Sequence, residues 1–379
     1  MKLKKILKPK ILLVGGFPDE PDNVKGGVVT SCQLLLKSEL REDFSLLTLD
    51  STQITTKPRP IQERIFFSII KFTRLISISI AQKPSVTILF ASSGLSMVEK
   101  GLMGWVVRAF GSRVILFPRA GAFVQECQNS KVQLQFFTLL LQCAHLWLCQ
   151  GKSWQVFLNK SLGVKAEKTQ LVANWTASEE LLKQGAQKLK KRACPKANLI
   201  FVGWLEENKG IFVLLEALKQ VNLNGIDFQL KIAGDGTERE SVTRFIVENR
   251  LDSKILLLGW VSEIEMRQLL NESNIFVLPS FSEGLPNALI EAMASGNACI
   301  TTPVGAICDF VKNEETALVI PAKSTESLQK AISRLCSDTE LKKQLAKNAH
   351  ILASNTFSLS EGVRRLTFAI KQELSQIKK

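Results

Sequence analysis

The sequence predicts an α/β chain made of two doubly wound domains, each organised on a parallel sheet. Three observations lead there. A chain of 379 residues is too long for one ordinary domain and suits two. Short apolar runs, such as residues 10–16 and 199–202, alternate with helical stretches, as strands covered on both faces do. The strand pattern also restarts near residue 198, after a polar and basic stretch, KQGAQKLKKRACPK (183–196), that reads as a connection with Lys188, Lys190, Lys191 and Arg192 in solvent. The expected division is 1–180 and 181–359.

Composition narrows the function. The chain is 45% hydrophobic and 22% charged, a globular balance. Its eight cysteines form no C-x2-C pair, and the two histidines, His145 and His350, lie far apart, so no metal site is expected. Such cysteines read as small buried hydrophobes in a reducing compartment. The net charge of +14 is concentrated in residues 1–192, which hold 28 Lys+Arg against 13 Asp+Glu; residues 193–379 hold 21 against 22. That asymmetry suggests an anionic partner for the first half. Nothing resembles a nucleic-acid-binding module, so an anionic membrane or a polyisoprenyl diphosphate is favoured over nucleic acid. The opening MKLKKILKPK has the charge of a signal peptide, but the apolar run after it is too short for one. No stretch reaches about 18 uninterrupted apolar residues, so no spanning helix is expected. The protein is therefore expected in the cytoplasm.

In the first half, the strand at 10–16 leads to a loop ending in Gly26-Gly27, before a helix over 28–40. Paired glycines either let a ligand approach the backbone or merely loosen the loop. No G-x-G-x-x-G dinucleotide fingerprint is present. A strand at 46–49 and a loop at 51–60 with Pro58 and Pro60 follow. The helix expected over 64–81 is dominated by Phe and Ile and carries Arg64, Lys71 and Arg74. It suits either insertion at a membrane interface or ordinary core packing. Strands are expected at 86–90 and 113–117, and one long apolar helix at 132–148, with His145 packed inside it. Arg119 follows the second of these strands, as a fork for a phosphate or carboxylate or as a loop residue satisfying backbone carbonyls. A strand at 169–174 closes the half.

The second half gives strands at 199–202, 228–233, 255–258, 275–278, 298–301 and 318–320. Lys209-Gly210 opens a helix there, although a lysine at a helix start opposes the dipole and invites a functional reason. Residues 280–305, SFSEGLPNALIEAMASGNACITTPVG, carry the densest signal. A strand, a glycine-bearing loop, Pro286 at the first helical position and a helix over 287–294 make an anion site from amides and dipole. Glu283 and Glu291, eight residues apart, would repel a phosphate but suit hydroxyls as ionised acceptors. Phosphate flanked by two polyol binders describes a nucleotide sugar. Neither glutamate is expected in a core.

The EGLPNALIEAMASG block with its following TPVG closely resembles the retaining GT-B glycosyltransferases of family 4 (group 1 glycosyltransferases), and FVGWLEENKG and KIAGDG upstream continue the match. The resemblance covers most of the second half; the first resembles the family only in outline. It implies two Rossmann-like domains facing a cleft, an acceptor and membrane-facing domain followed by a nucleotide-sugar domain, and a C-terminal helix (360–379) that crosses back. It implies Glu283 on the donor sugar, Glu291 on the ribose, and Lys209 with the amides of Gly284 and Leu285, ahead of Pro286, on the diphosphate. Gly26 and Gly27 would lie near the donor phosphate, and Val261 beside the base; Gly234 and Gly236 belong to the donor-side loops. Arg119 stands where many members have a histidine. Trp204 stands where an arginine is usual, as a packing residue or a stacking surface, leaving Lys209 to neutralise charge alone or with Arg239. Metal-independent, cofactor-free transfer to a lipid-linked glycan in polysaccharide assembly follows by resemblance, peripheral on the cytoplasmic face of the inner membrane. The alternatives are an epimerase or phosphorylase of the same architecture, and a non-catalytic binding subunit of a membrane assembly.

Overall fold

A computed structural model describes residues 8–18, 26–52, 60–191 and 196–377. The basic opening through residue 7, Pro58, Arg192 and Cys194 lie outside them. Among the described residues there are two six-stranded sheets, and every strand pair in both is parallel.

The first unit comprises the described residues to Asn174 and those from Leu359 onward. Its strands are β1 (Lys10–Gly15), β2 (Ser45–Asp50), β3 (Val86–Ala91), β4 (Arg113–Pro118), β5 (Leu146–Cys149) and β6 (Thr169–Leu171), in the order β2-β1-β3-β4-β5-β6. Its helices are α1 (Gly27–Leu36), α2 (Leu40–Asp43), α3 (Ile61–Gln82), α4 (Leu95–Ala109), α5 (Ala122–Asn129), α6 (Lys131–Leu140) and α7 (Lys152–Leu162). The second unit is Trp175–Ser358. It holds β7 (Ala197–Val202), β8 (Phe228–Ala233), β9 (Ile255–Gly259), β10 (Ile275–Leu278), β11 (Ala298–Thr301) and β12 (Leu318–Val319), in the order β12-β11-β10-β7-β8-β9. Helices α8 (Glu179–Lys190), α9 (Ile211–Leu223), α10 (Arg239–Glu248), α11 (Glu263–Glu272), α12 (Asn287–Ala294), α13 (Thr325–Ser337) and α14 (Thr339–Thr356) surround it. The last helix, α15 (Leu359–Ile377), belongs to the first unit, where Lys371 pairs with Asp43 at 2.7 Å and Glu373 with Arg113.

Central strands are buried throughout, which is why they read as unbroken apolar runs. Ile11, Leu12, Leu13 and Val14 have no exposed surface, and neither do Ile275, Phe276 and Val277.

Several expectations need correction. The units divide after Asn174, not at 180/181, and the 183–196 stretch is mostly α8, not a connection. Ser178 caps that helix by accepting from the Leu181 amide, and Glu179 and Glu180 fill its first turn, a combination that starts a helix whatever follows. Lys188 is not solvated: its ammonium donates to the Leu270 and Ser273 carbonyls and to Asn297 Oδ1, and burial lowers its pKa to about 7. The long helix at 132–148 is really α6, a 3₁₀ turn (Leu141–Cys143) and strand β5. His145 precedes that strand, accepts the Val114 amide through Nδ1 at 2.9 Å, and is held neutral by burial and by Arg113. The helix expected over 28–40 stops at Leu36. One helix, Gln62–Gln82, is long and apolar enough to cross a membrane by length and composition, although no run in it reaches 18 uninterrupted apolar residues.

Candidate functional site

In the second sheet the chain leaves β7 toward β8 on one side and returns as β10 on the other. Open parallel sheets bind ligands beyond the carboxyl ends of the strands at such a reversal. The loops leaving β7 and β10 are those carrying Lys209 and Glu283. Their side chains meet: Lys209 Nζ donates to Glu283 Oε1 at 2.7 Å, and Ser280 Oγ donates to the same oxygen at 2.8 Å. Spacing alone did not place Lys209 on Glu283, and Ser280 was missed as a partner. Glu283 is also more enclosed than expected, its side chain 9% exposed.

The loops are locked by backbone as much as by charge. Lys209 ends a 3₁₀ turn (Glu207–Lys209) instead of opening a helix. Gly210, at φ 70°, caps α9, and a Cβ on it would stand 2.1 Å from the Pro279 carbonyl oxygen. The Phe281 amide donates to the Asn208 carbonyl at 2.7 Å. On the other side, Thr302 Oγ1 donates to the Ser280 carbonyl at 2.6 Å and the Ala306 amide to the Gly284 carbonyl at 2.7 Å. Pro286 sits one position before the helix, extended at ψ 124°, so α12 starts at Asn287. Leu285 is buried beneath the loop. Neither α9 nor α12 has an acidic residue in its first turn, so both positive helix ends keep their field for an anion.

Glu291 lies on the second turn of α12, half-buried. Burial pushes its carboxyl up to about 8, and the charge of Glu263 adds to the effect. It was expected as an ionised acceptor; near neutral pH it is a neutral carboxyl, which both donates and accepts and still suits a diol. The native state holds this proton where the unfolded chain has lost it. Its contribution to stability therefore falls as pH rises from the ordinary 4.5 to about 8. Glu291→Gln should accordingly melt above the wild type near pH 9 and level with it near pH 4, by calorimetry. An equal difference at both pH values would show that the proton is not held.

The remaining donor-side candidates divide. The Gly234 amide is already spent on the Gly259 carbonyl at 2.8 Å, and the Gly236 amide on Asp235 Oδ1 at 2.8 Å. A Cβ on Gly234 would fall 1.8 Å from the Gly203 oxygen, so loop packing accounts for that glycine. Arg239 pairs with Asp235 at 3.3 Å. Trp204 meets Trp260 edge to face, centroids 4.6 Å apart, at the ends of β7 and β9 beside Val261. Trp260 had not been singled out. In the first unit, Arg119 is buried, donates through Nη2 to Ser31 Oγ at 2.8 Å and lies over the Phe117 ring at 4.8 Å. Its guanidinium thus reaches a hydroxyl on α1, and Gly26 (φ 144°) and Gly27 begin that helix. A Cβ on Gly26 would meet nothing within 4 Å. Among the described residues no group of three His, Cys, Asp or Glu gathers as metal ligands would.

Several known proteins are similar to this chain. Residues 186–351 match the family model of glycosyl transferases group 1. The alpha-D-kanosaminyltransferase of Streptomyces kanamyceticus is 28% identical over 162 residues, 43% of this chain and 42% of that protein. The chain thus spans less than half the length of this relative. The UDP-Gal:alpha-D-GlcNAc-diphosphoundecaprenol alpha-1,3-galactosyltransferase of Escherichia coli is 26% identical over 280 residues, 71% of this chain and 72% of that one. Among solved structures, sucrose-phosphate synthase from Thermosynechococcus elongatus superposes with a TM-score of 0.78 at 19% identity, over 97% of this chain and 100% of that one. HepE of Anabaena, crystallised with UDP-glucose, gives 0.71 at 15% identity, over 96% and 99%. The fold is GT-B, with two Rossmann-like domains, and over residues 186–351 the chain is similar to the group 1 glycosyl transferases.

Proposed function

We propose that the chain is a retaining, metal-independent glycosyltransferase that moves a sugar from a nucleoside diphosphate sugar to a glycan acceptor. The observation that carries this reading is the Lys209–Glu283 pair at the β7/β10 reversal, beside the starts of two helices whose first turns hold no acidic residue. Lys209 and the α12 N-terminus, at Gly284 and Leu285, stabilise the charge that grows on the departing diphosphate, in place of a cation. Glu283 orients toward the donor sugar and favours positive charge at its anomeric carbon, while Glu291 takes the ribose. Trp204 and Trp260 offer an aromatic wall beside Val261 for the base. Within the first unit, Arg119, Gly26 and Gly27 are the candidate binding residues. No cofactor is needed beyond the donor itself.

Two similarities support the choice of substrates. HepE was crystallised with UDP-glucose, and the Escherichia coli relative is named for a UDP-sugar donor and a diphosphoundecaprenol-linked acceptor. We therefore place this chain in polysaccharide assembly, cytoplasmic and peripheral on an anionic membrane. The deciding experiment is calorimetric titration with UDP, GDP, ADP and CMP and their sugars. One diphosphate, UDP first, should bind, and the others should bind at least tenfold more weakly. Absence of binding to all of them would remove the donor site and leave a non-catalytic subunit.

A further inference from the structure

We infer that three adjacent helices of the first unit, α3, α4 and α6, form one face that docks on an anionic lipid bilayer by shallow insertion. The inference deepens the membrane role proposed above but does not rest on the donor chemistry. On α3, Ile65, Ile69, Ile76 and Ile80 recur at helical spacing and are all exposed, with Phe66 beside them at 61%. On α6, Val132, Phe136 and Leu139 make a second exposed stripe, Val132 at 76% and Leu139 at 67%. Between the two lies α4, which presents Leu102 and Trp105. Scattered exposed apolar residues need no account, but parallel stripes on packed neighbours do.

The helices are fixed to each other, so the stripes stay together. Leu75 and Ser79, on the side of α3 adjoining the isoleucine stripe, are buried in the unit, and Lys71 pairs with Glu99 of α4 at 3.1 Å. Trp105 Nε1 donates to the Leu140 carbonyl at the end of α6 at 2.8 Å, and Arg108 donates to the Gln142 carbonyl just beyond. These attachments decide between the two ways an apolar helix can meet lipid. A helix of 22 residues, about 33 Å long, would reach across a bilayer. Spanning would require α3 to break the Lys71–Glu99 pair and expose the side that holds Leu75. Lying flat breaks nothing.

Charge names the occupant. Residues 60–140 contain nine Lys+Arg and three Asp+Glu; with Lys100 and Arg119 buried and Arg113 paired with Glu373, six cations remain against the three acids. Of the three, Glu99 is neutralised by Lys71 and Glu126 accepts the Gly94 amide. Arg74 is exposed on α3 and Lys131 on α6, positioned to meet lipid phosphates while the apolar stripes enter the acyl boundary. A second copy of the chain would bring like charges together across the same face.

The test is sedimentation of the full chain with vesicles of phosphatidylcholine alone and with a third phosphatidylglycerol, at low and high salt. Binding is expected on the anionic vesicles and should fall at least tenfold at high salt. The Trp105 fluorescence, read as the difference from Trp105→Phe, should be quenched by brominated acyl chains, which reports insertion directly. Phe66→Ser with Leu139→Ser should cut binding at least tenfold, while Arg74→Gln with Lys131→Gln should weaken it on anionic vesicles only. Nucleotide titration of the same variants should match the wild type, which separates loss of docking from misfolding and from failure of the donor site. No vesicle binding, binding without Trp105 quenching, or serine variants that bind like the wild type would each overturn the inference. So would a concentration-dependent dimer dispersed by the same serine variants, which would give the face to a second copy.

Discussion

Lys209→Ala should lower sugar transfer by about two to three orders of magnitude and nearly abolish diphosphate binding. The substitution removes the cation paired with Glu283 and leaves that carboxylate the Ser280 hydroxyl. A carboxylate 9% exposed then stands unneutralised beside the place proposed for an anionic leaving group. Breaking a fully buried pair costs about 3–5 kcal/mol; Lys209 is 20% exposed, so about 2 kcal/mol is expected here. Thermal melting checks the stability loss, and calorimetry with the nucleotide checks the binding. Glu283→Gln should also cut transfer sharply but keep the fold, and the double variant should be less unstable than the two single losses summed, because the pair is coupled. Wild-type affinity in Lys209→Ala would place the diphosphate elsewhere.

Gly305→Ala should be nearly as damaging, although residue 305 is not proposed to touch substrate. A Cβ there would lie 2.2 Å from the Glu283 carbonyl oxygen and 2.3 Å from that of Gly284, at a φ of 60° that alanine tolerates poorly. Backbone oxygens cannot rotate away as a side chain can, so the loop must move. The strain and overpacking together should cost about 2–4 kcal/mol, and the displacement should carry Glu283 off Lys209. The expected signature is a fall in kcat of about a hundredfold with a lowered Tm. Gly225→Ala (φ 74°, open space around the Cβ) serves as the control, with a small Tm loss and unchanged kcat. Equal kcat in the two variants would show that the loop position is not critical.

What the sequence revealed depended on punctuation. Helix α12 was readable over its full extent because Pro286 and Gly296 stand at its two ends. Strand β5 was hidden because residues 132–148 contain neither glycine nor proline, and a buried strand after an apolar helix looks like more helix. Helix α8 was hidden by its lysines, since its buried positions include a glycine, Gly185, in place of a second large apolar residue. At the site, the residue types were legible and their pairings were not. Lys209 and Glu283 are 74 positions apart, and only the β7/β10 adjacency joins them. Gly234 and Gly236 show a related ambiguity. A glycine needed by a ligand and a glycine needed by a neighbouring loop look the same in sequence, and the Gly203 oxygen gives Gly234 the second of these requirements.

The return of α15 to the first unit has a consequence for how the protein is made. The second unit is one uninterrupted stretch, Trp175–Ser358, whereas the first is assembled from two ends of the chain. During synthesis the first unit emerges earlier, yet it must wait for α15, with the Glu373 partner of Arg113, until the whole second unit has been made. The second unit has all its strands once Ser358 has left the ribosome and can close before the first is complete. A nascent chain stalled once Ser358 is clear of the ribosome would then hold a finished second unit attached to an unfinished neighbour.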